Sequence, residues 1–464
     1  MPQFTMPGVA KWALVSAADP LHVTRGRAIT LAVATHRNEG GRGEGEGTEQ
    51  SLLASAPLEA LAARFGTPLY VYDLDAIERE ARELDAAFAG EPHLVAYAIK
   101  ANSAGPVVRR LAAAGCGADV VSGGELEVAL ASGILPERIL YNGVAKLDDE
   151  LRRAITVSEQ GIGSILMESV EEIDRVAAIA RSLGRKARVG LRINPEIDDL
   201  GTHDAIATGH DEAKFGVALA DVGLALDRIR KEPSLDLGGL TVHVGSQFTS
   251  TDDYRRGAAK LFAIAREVPE RSSFRFLDTG GGFGIDYGEG CDARPKDFVR
   301  AAQEEQRAAG LAGIRLVVEP GRRLVASYGV LVARVVQRKK ATPLPWVFVD
   351  AGMNDLLRPA LYQARHRVVA LGASSRPKSA VRVAGPVCES SDDFGAFELP
   401  DDATLVAFLD AGAYGFTMAS QYNGRALPAE VFLSRAAEPL VHGRAEVAAW
   451  VRGRVGEAAP KNGA

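Results

Sequence analysis

The sequence predicts an α/β protein with a (β/α)8 TIM-like barrel and a C-terminal, mainly antiparallel β domain. Between about residues 94 and 321, eight short apolar runs alternate with stretches that are apolar at helical spacing. Alternating strands and helices imply a parallel sheet, and eight such units imply closure into a barrel. After Arg322, strand-like runs follow one another with no long helix between them, which is typical of a separate β domain. For the first region, the alternative is an open, doubly wound sheet.

The composition is typical of a globular protein with a large core. The 464 residues are 47% hydrophobic and 25% charged. A net charge of -6 and a pI near 5.9 argue against nucleic acid as a partner. No apolar run reaches the roughly 18 residues that would predict a membrane span. Cys116, Cys291 and Cys388 are widely spaced, so they predict neither a disulfide framework nor a metal site, and they fit a cytoplasmic location.

Domain boundaries follow from these patterns. We predict a partly disordered N-terminal extension over residues 1–50, a segment at 51–78 that joins the β domain, the barrel over 79–330 and the β domain over 331–464. The joining segment contains "PLYVYDL" (68–74), a candidate strand for the β domain. In the extension, "RGRAITLAVATH" (25–36) resembles a weak signal peptide, but its apolar run is short and begins late. "NEGGRGEGEGTEQ" (38–50) is typical of a flexible linker.

The predicted barrel strands end in polar residues or glycines. In chain order the runs are "LVAYAIK" (94–100), "GADVVS" (117–122), "ILYNG" (139–143), "SILMES" (164–169), "RVGLRIN" (188–194), "LTVHVGS" (240–246), "FRFLDTGGG" (274–282) and "RLVVEPG" (315–321). The C-terminal ends of barrel strands face the active site. The residues at these ends are Lys100, Ser122, Asn142, Glu168, Asn194, His243 with Ser246, residues 280–282, and Glu319. A polar group at nearly every strand end predicts an active site there.

Lys100 has two interpretations. In "VAYAIKANS" (95–103) it follows an apolar run, and a lysine there can simply reach solvent. Alternatively, it is held in a pocket and forms a Schiff base, which requires partners elsewhere in the chain.

Two later motifs supply such partners. The glycines in "DTGGGFG" (278–284) allow backbone N–H groups to approach a phosphate, although such a triplet is often only a tight turn. In "EPGRRL" (319–324), Glu319 can face a pyridine nitrogen and Arg322 can bind a carboxylate; the alternative is a buried ion pair. His243 can stack on a flat ring or be an ordinary core histidine. A lysine, a glycine loop and a glutamate are what a pyridoxal-phosphate site needs.

Seven motifs together resemble one family, the barrel-type pyridoxal-phosphate decarboxylases. They are "YAIKANS", "HVGSQ", "DTGGGFG", "EPGR", "DAGMNDLLRPALY", "GPVCESSDDF" and "GAYGFTMASQYNGR". Within that family, whose fold is like that of alanine racemase and ornithine decarboxylase, the sequence is most similar to the diaminopimelate decarboxylases. The resemblance runs from about residue 52 to 440.

The resemblance implies roles for particular residues. Lys100 binds the cofactor covalently, His243 stacks on its ring, and Glu319 pairs with the pyridine nitrogen. The other residues implied in cofactor binding are Asp119, Glu125, Gly245, Ser246, Gly280, Gly281, Gly282, Arg322 and Tyr414. The family acts as a head-to-tail homodimer, which implies that Cys388 and Glu389 reach the partner's site and that Cys388 is the proton donor; the alternative for Cys388 is a small buried hydrophobe.

The implied reaction is decarboxylation of meso-2,6-diaminopimelate to L-lysine, the last step of lysine biosynthesis. Arg322, Arg358 and Tyr362 are expected to hold the distal carboxylate of this small-molecule substrate. Glu389 is expected to take the ammonium group, with Tyr414 also in contact. Arg365 stands where relatives often carry an aromatic residue, and "THDAIATGHDEAKFG" (202–216) resembles a mobile segment near the active site of relatives.

Three alternatives stay open. A relative acting on another substrate with a distal carboxylate, such as carboxynorspermidine, would share most of the site. An alanine-racemase-like enzyme uses the same barrel but lacks "CES" and needs a base on the opposite face of the ring. A non-catalytic cofactor-binding protein would lack the β domain, and therefore Arg358, Cys388 and Tyr414.

Overall fold

The computed structural model describes residues 52–54, 56–197 and 214–456. The predictions for residues 1–50 and for most of the segment 202–216 lie outside these ranges. A 3-10 turn at Leu52–Ala54 comes first and is followed by α1 (Leu58–Phe65) and β1 (Leu69–Asp73).

Within the described ranges, eight parallel strands close into a barrel, so the barrel prediction is confirmed and the open sheet is excluded. Its strands are β2 (His93–Ala98), β3 (Gly117–Val120), β4 (Ile139–Tyr141), β5 (Ser164–Met167), β6 (Ala187–Arg192), β7 (Leu235–Thr241), β8 (Phe276–Asp278) and β9 (Arg315–Val318). The accompanying helices are α2 (Leu74–Ala86), α3 (Gly105–Ala113), α4 (Gly123–Ala131), α5 (Asp148–Thr156), α6 (Val170–Ser182), α7 (Val222–Lys231), α8 (Asp252–Glu267) and α9 (Pro295–Ala308).

The strands end earlier than the sequence predicted. Lys100 lies two residues after β2, in a 3-10 turn at Ile99–Ala101, and His243 lies two residues after β7. Strand β7 begins at residue 235 rather than 240. The sequence did not predict its first half, "LDLGG", because Asp and Gly disfavour strands. Gly239 is nevertheless required, since a Cβ there would lie 2.2 Å from the Phe276 carbonyl oxygen.

A small apolar cluster contains side chains from several barrel strands. Its members are Leu94, Ala96, Leu140, Leu166, Phe276 and Val317, all buried. The Phe276 ring is the largest of them, and glycines make room for it: a Cβ on Gly190 would lie 3.2 Å from that ring. These residues come from strands far apart in sequence and pack the barrel into one solid core.

The β domain is a mostly antiparallel sheet with nine strands among the described residues, of which β1 is one. Strand β1 pairs antiparallel with β10 and parallel with β16. The elements after the barrel are α10 (Arg322–Val325), β10 (Gly329–Lys339), β11 (Trp346–Val349), α11 (Arg358–Tyr362), β12 (Val368–Leu371), β13 (Lys378–Ala384), β14 (Asp393–Pro400), β15 (Leu405–Phe408), β16 (Ala429–Ser434), β17 (Ala437–His442) and α12 (Val447–Val455).

The sequence did not predict β12, β14, β17 or α12. Strand β17 has no buried residue and β14 is buried only at its C-terminal end, so neither shows the apolar alternation that marks a half-buried strand. Pairing with neighbours, rather than hydrophobic pattern, produces these edge strands.

Hydrogen bonds join the two domains beside Lys100. Asn102 Nδ2 donates to the Gly412 carbonyl at 3.0 Å, and the Tyr414 N–H donates to the Ala101 carbonyl at 2.8 Å. The β domain therefore brings Tyr414 to the mouth of the barrel. In the described part of the chain, none of the helices has the length and apolarity needed to cross a membrane.

Candidate active site

Lys100 belongs to a hydrogen-bonded chain that links the ends of four strands, β2, β3, β4 and β9. Its Nζ donates to Asp119 Oδ2 at 3.0 Å; 40% of the Lys100 side chain is exposed, whereas that of Asp119 is fully buried. Asn142 Nδ2 donates both to Asp119 Oδ1 at 2.8 Å and to Glu319 Oε1 at 2.7 Å. Burial disfavours the charged amine, but Asp119, Tyr414 and Glu319 together outweigh burial, and the pKa of Lys100 is raised. The amine is therefore fixed in place by its partner rather than free in solvent.

Glu319 lies in a cluster of buried carboxyl groups. Burial, and then the charges of Asp119 and Asp278, raise the pKa of Glu319 well above its usual range. Burial likewise raises the pKa of Asp278 to about 6, although the Gly280 N–H donates to its Oδ1 at 2.8 Å. The shift favours the protonated form of Glu319, so this carboxyl can share a proton with a basic ring nitrogen.

His243 is held as a neutral ring. The Gly281 N–H donates to its Nδ1 at 3.1 Å, so the neutral imidazole carries its hydrogen on Nε2. Burial, and then the positive charges of Arg192 and Lys100, hold the pKa of His243 well below its usual value. A flat, uncharged ring near Lys100 is suited to stacking on another flat ring.

The glycine triplet contributes differently at each position. The Gly280 N–H donates to Asp278, and the Gly281 N–H donates to His243. The N–H of Gly282 donates to none of the described residues. The first two glycines therefore build the loop, and the third offers its N–H to a ligand.

A second loop meets Gly282. A Cβ on Gly282, whose φ is +93°, would lie 2.4 Å from the Gly245 carbonyl, so the close approach requires glycine. Within the described residues, the N–H groups of Gly245 and Ser246 also have no acceptor. Arg322 Nη2 donates to Ser246 Oγ at 3.1 Å, and its buried Nε has no partner. Three N–H groups and a guanidinium therefore converge where an anion can bind.

Two arginines are buried together beside this loop. Arg322 is 7% exposed and Arg358 6% exposed, and no described carboxylate lies within 4 Å of either. Arg322 Nη1 donates to the Tyr287 hydroxyl at 2.9 Å, and Arg358 Nη1 lies 2.7 Å from His366 Nε2. Such a pair of unneutralised guanidinium groups is suited to a carboxylate of the ligand.

Two predicted tyrosines lie next to the arginines. The Tyr414 ring centroid is 5.0 Å from Arg322 Cζ, and Tyr414 has a left-handed φ of +55°. Tyr362 is the last residue of α11, one helical turn after Arg358, and is half-buried. Arg365, in contrast, is 82% exposed and lies 3.8 Å from Glu289, so the unusual residue is outside the pocket.

Two of the polar strand ends serve the scaffold. Ser122 Oγ accepts from the Glu125 N–H at 3.2 Å, and Glu125 Oε2 accepts from the Val121 N–H at 2.9 Å, so both residues fix the start of α4. Glu168 accepts from the Gly143 N–H and from Arg192 at 3.1 Å.

Cys388 and Glu389 lie away from this cluster in the single chain, and both are exposed. The Cys388 N–H donates to Asn423 Oδ1 at 2.9 Å, and the Tyr422 hydroxyl donates to Glu389. A cavity of about 940 Å³ borders Glu389. The structure of one chain therefore does not bring these two residues to Lys100.

Four site residues were not predicted as ligands or positioning groups: Asn142, Asp278, Tyr287 and His366. Asn142 and Asp278 were visible in the sequence as strand ends, but their bridging and charge-cluster roles depend on which strands are neighbours. Tyr287 and His366 carried no signal, because they follow no predicted strand.

Comparison with known proteins identifies the family. The sequence profile described as "Pyridoxal-dependent decarboxylase, pyridoxal binding domain" matches residues 74–326. The diaminopimelate decarboxylase of Zymomonas mobilis is 39% identical over 399 residues, covering 84% of this chain and 93% of the relative. That of Aquifex aeolicus is 36% identical over 400 residues, covering 84% of this chain and 92% of the relative.

The chain belongs to the diaminopimelate decarboxylases. Its structure agrees: diaminopimelate decarboxylase from Helicobacter pylori, solved in complex with L-lysine, superposes with a TM-score of 0.81 at 36% identity, covering 86% of this chain and 99% of the other. The family resemblance, the decarboxylase (carboxy-lyase) activity and the pyridoxal-phosphate cofactor predicted from the sequence are confirmed.

The residues present fit that cofactor. Lys100 supplies an amine for its aldehyde, the Glu319 carboxyl suits its ring nitrogen, and neutral His243 suits its ring face. The free N–H groups of Gly245, Ser246 and Gly282 suit its phosphate.

Proposed function

We propose that this enzyme removes one carboxylate of meso-2,6-diaminopimelate and releases L-lysine and carbon dioxide, the last step of lysine biosynthesis. The observation that carries the substrate assignment is the pair of buried arginines, Arg322 and Arg358, with no carboxylate partner among the described residues. A diamine-forming enzyme needs no such cations. A substrate with a distal carboxylate does, because an unpaired charge in a buried pocket is costly.

Each residue then has a distinct task. Bound pyridoxal phosphate supplies an electron sink for the pair left by the departing carboxylate. Glu319 would pair with the protonated ring nitrogen, which keeps the sink electron-poor, and Asn142 links Glu319 to Asp119. Asp119 keeps Lys100 in position before the cofactor binds.

The distal end of the substrate is held by a clamp. We assign its carboxylate to Arg322 and Arg358, with Tyr362 as a further hydrogen-bond donor one helical turn from Arg358. Tyr414 borders Arg322 and bonds to Ala101, next to Lys100, at the junction of the two domains, so it would be available to both the cofactor and the substrate.

We also propose that the enzyme works as a head-to-tail homodimer. The support is that Cys388 and Glu389, which the resemblance assigns to proton donation and ammonium binding, are exposed and contact Asn423 and Tyr422 instead of the Lys100 cluster. Both tasks require a second chain to present these residues. The cysteines, free in the structure, fit a cytoplasmic location.

The test is a substrate panel. The purified protein with pyridoxal phosphate is assayed with meso-diaminopimelate, L-ornithine, L-lysine, L-arginine and carboxynorspermidine. Formation of L-lysine from meso-diaminopimelate, with little turnover of substrates lacking a distal carboxylate, supports the proposal. Preferential turnover of carboxynorspermidine, or of L-ornithine, would refute it.

A further inference from the structure

We propose that Tyr287 and His366 are positioning residues that hold Arg322 and Arg358 side by side without neutralising them, and that this neutral scaffold makes the site selective for ligands with a distal carboxylate. The proposal rests on the proposed function, because it explains how the arginine clamp is maintained when no substrate is bound.

The burial of two positive charges in one pocket is unfavourable. Two guanidinium groups buried in one pocket repel each other, and both have lost most of their contact with water. Burial is the main cause that lowers the pKa of Arg358. Tyr287 opposes this shift, whereas the like charge of Arg322 adds to it. In proteins, a buried arginine is usually paired with a carboxylate.

Neighbouring arginines in the same region show this usual pairing. Arg323, the next residue after Arg322, pairs with Glu80 at 2.7 Å. Arg367, the next residue after His366, pairs with Asp410 at 2.7 Å. Arg322 and Arg358, in contrast, have no such carboxylate partner among the described residues.

Tyr287 stabilises both clamp arginines without carrying a charge. Its hydroxyl accepts from Arg322 Nη1 at 2.9 Å, while its ring lies 4.6 Å from Arg358 Cζ and 5.8 Å from Arg322 Cζ. The negative face of an aromatic ring attracts a cation but leaves its formal charge intact. One side chain thus acts on both guanidinium groups.

His366 fixes the other side of Arg358. Its Nδ1 lies 2.9 Å from the Leu409 carbonyl, an acceptor, so Nδ1 carries the hydrogen and Nε2 accepts from Arg358 Nη1 at 2.7 Å. Burial, and then the charge of Arg358, lower the pKa of His366 to about 3, so the ring is uncharged at neutral pH. The His366 ring also packs edge-on against Tyr287, with centroids 5.4 Å apart.

The consequence concerns selectivity. A neutral acceptor orients Arg358 and leaves its positive charge for the ligand. A carboxylate at position 366 would orient it equally well but would neutralise the clamp. The same pocket would then lose its preference for a carboxylate while keeping its shape.

The experiment compares two ligands that differ only in that carboxylate. Inhibition constants of L-lysine and cadaverine are measured against meso-diaminopimelate turnover, with the cofactor-loaded wild type and the variants Tyr287→Phe, His366→Leu, His366→Gln and His366→Glu. Cofactor absorbance and thermal midpoint are recorded for each variant.

We expect His366→Leu to weaken L-lysine binding by about tenfold or more, because the acceptor for a charged donor is lost. Cadaverine binding should stay within about twofold. His366→Gln, which keeps an acceptor, should restore most of the L-lysine affinity, and His366→Glu should abolish the preference for L-lysine. Tyr287→Phe, which keeps the ring and loses the hydroxyl, should fall between His366→Gln and His366→Leu.

Two results would overturn the inference, and they are distinguishable. If L-lysine and cadaverine weaken in parallel in the variants, His366 and Tyr287 have only a structural role. If the wild type itself does not prefer L-lysine to cadaverine, the clamp and the proposed function fail together. Should His366→Leu not fold, the comparison of His366→Gln with His366→Glu decides the question, since both are polar and similar in size.

Discussion

Replacing Arg358 by alanine tests the distal clamp most directly. The side chain is 6% exposed, its Nη1 contacts His366 at 2.7 Å, and its Cζ lies 4.6 Å from the Tyr287 ring. The substitution removes one of two cations facing the proposed carboxylate position and leaves the cofactor contacts of Lys100 and Glu319 unchanged.

The magnitude follows from the environment. Truncating one partner of a buried, hydrogen-bonded charge pair costs about 2–5 kcal/mol. At about 1.4 kcal/mol per factor of ten, this corresponds to roughly a 30- to 5,000-fold loss in kcat/KM. Arg322 remains as a second cation, so we expect the lower part of this range, about 30- to 100-fold.

The assay is steady-state turnover of meso-diaminopimelate by the cofactor-loaded variant, with L-lysine as the measured product. Arg365→Ala is the matched control, because Arg365 is also an arginine of this segment but is 82% exposed and only 3.8 Å from Glu289. Its kcat/KM should stay within about twofold of the wild type. An Arg358→Ala enzyme with normal cofactor absorbance and unchanged kcat/KM would show that Arg358 does not bind the substrate.

Three further predictions concern the cofactor site, its carboxyl cluster and the dimer. Lys100→Ala should lose both turnover and the visible absorbance of the lysine-bound cofactor, since it removes the amine that the described residues place at the site; turnover at the wild-type rate in this variant would remove Lys100 from the mechanism. The folded-state pKa of Asp278, about 6, exceeds its ordinary value of 3.8, so the contribution of this carboxyl to stability is present below pH 3.8 and is lost as the pH rises through about 6. Cofactor-free Asp278→Asn should therefore melt at a higher temperature than the wild type at pH 8, with the difference shrinking towards pH 4; a pH-independent difference would contradict this. Finally, mixing inactive Lys100→Ala and Cys388→Ala chains should restore about a quarter of wild-type activity if each site draws on two chains, and none if it does not.

The fold was predictable because it depends on a repeated local signal. Each barrel strand is a short apolar run, and most of the intervening helices have apolar residues at helical spacing. The predicted number of eight barrel strands was therefore correct even though individual strand ends were misplaced. Strand β7 shows where the signal failed: "LDLGG" does not look like a strand, and its glycines are explained only by the adjacent Phe276. Edge strand β17 has no buried face and so left no pattern to detect.

The site was predictable where the type of a residue after a strand indicates its chemical role. A lysine after one strand, a glycine triplet after another and a glutamate after a third were enough to predict the cofactor, and the family resemblance supplied the substrate. Which groups are charged was not predictable. The pKa of Glu319 is raised by burial and then by the charges of Asp119 and Asp278, which lie on different strands and meet only when the barrel closes.

By itself, then, the sequence determined the architecture, the cofactor chemistry and the family, because these depend on periodicity and on motifs that are local in the chain. The tertiary structure alone decided how the charges are arranged. It joins Lys100 to Glu319 through Asp119 and Asn142, and it places Tyr287 against Arg322 and His366 against Arg358. These contacts join residues up to about 180 positions apart, and burial sets the strength of each one.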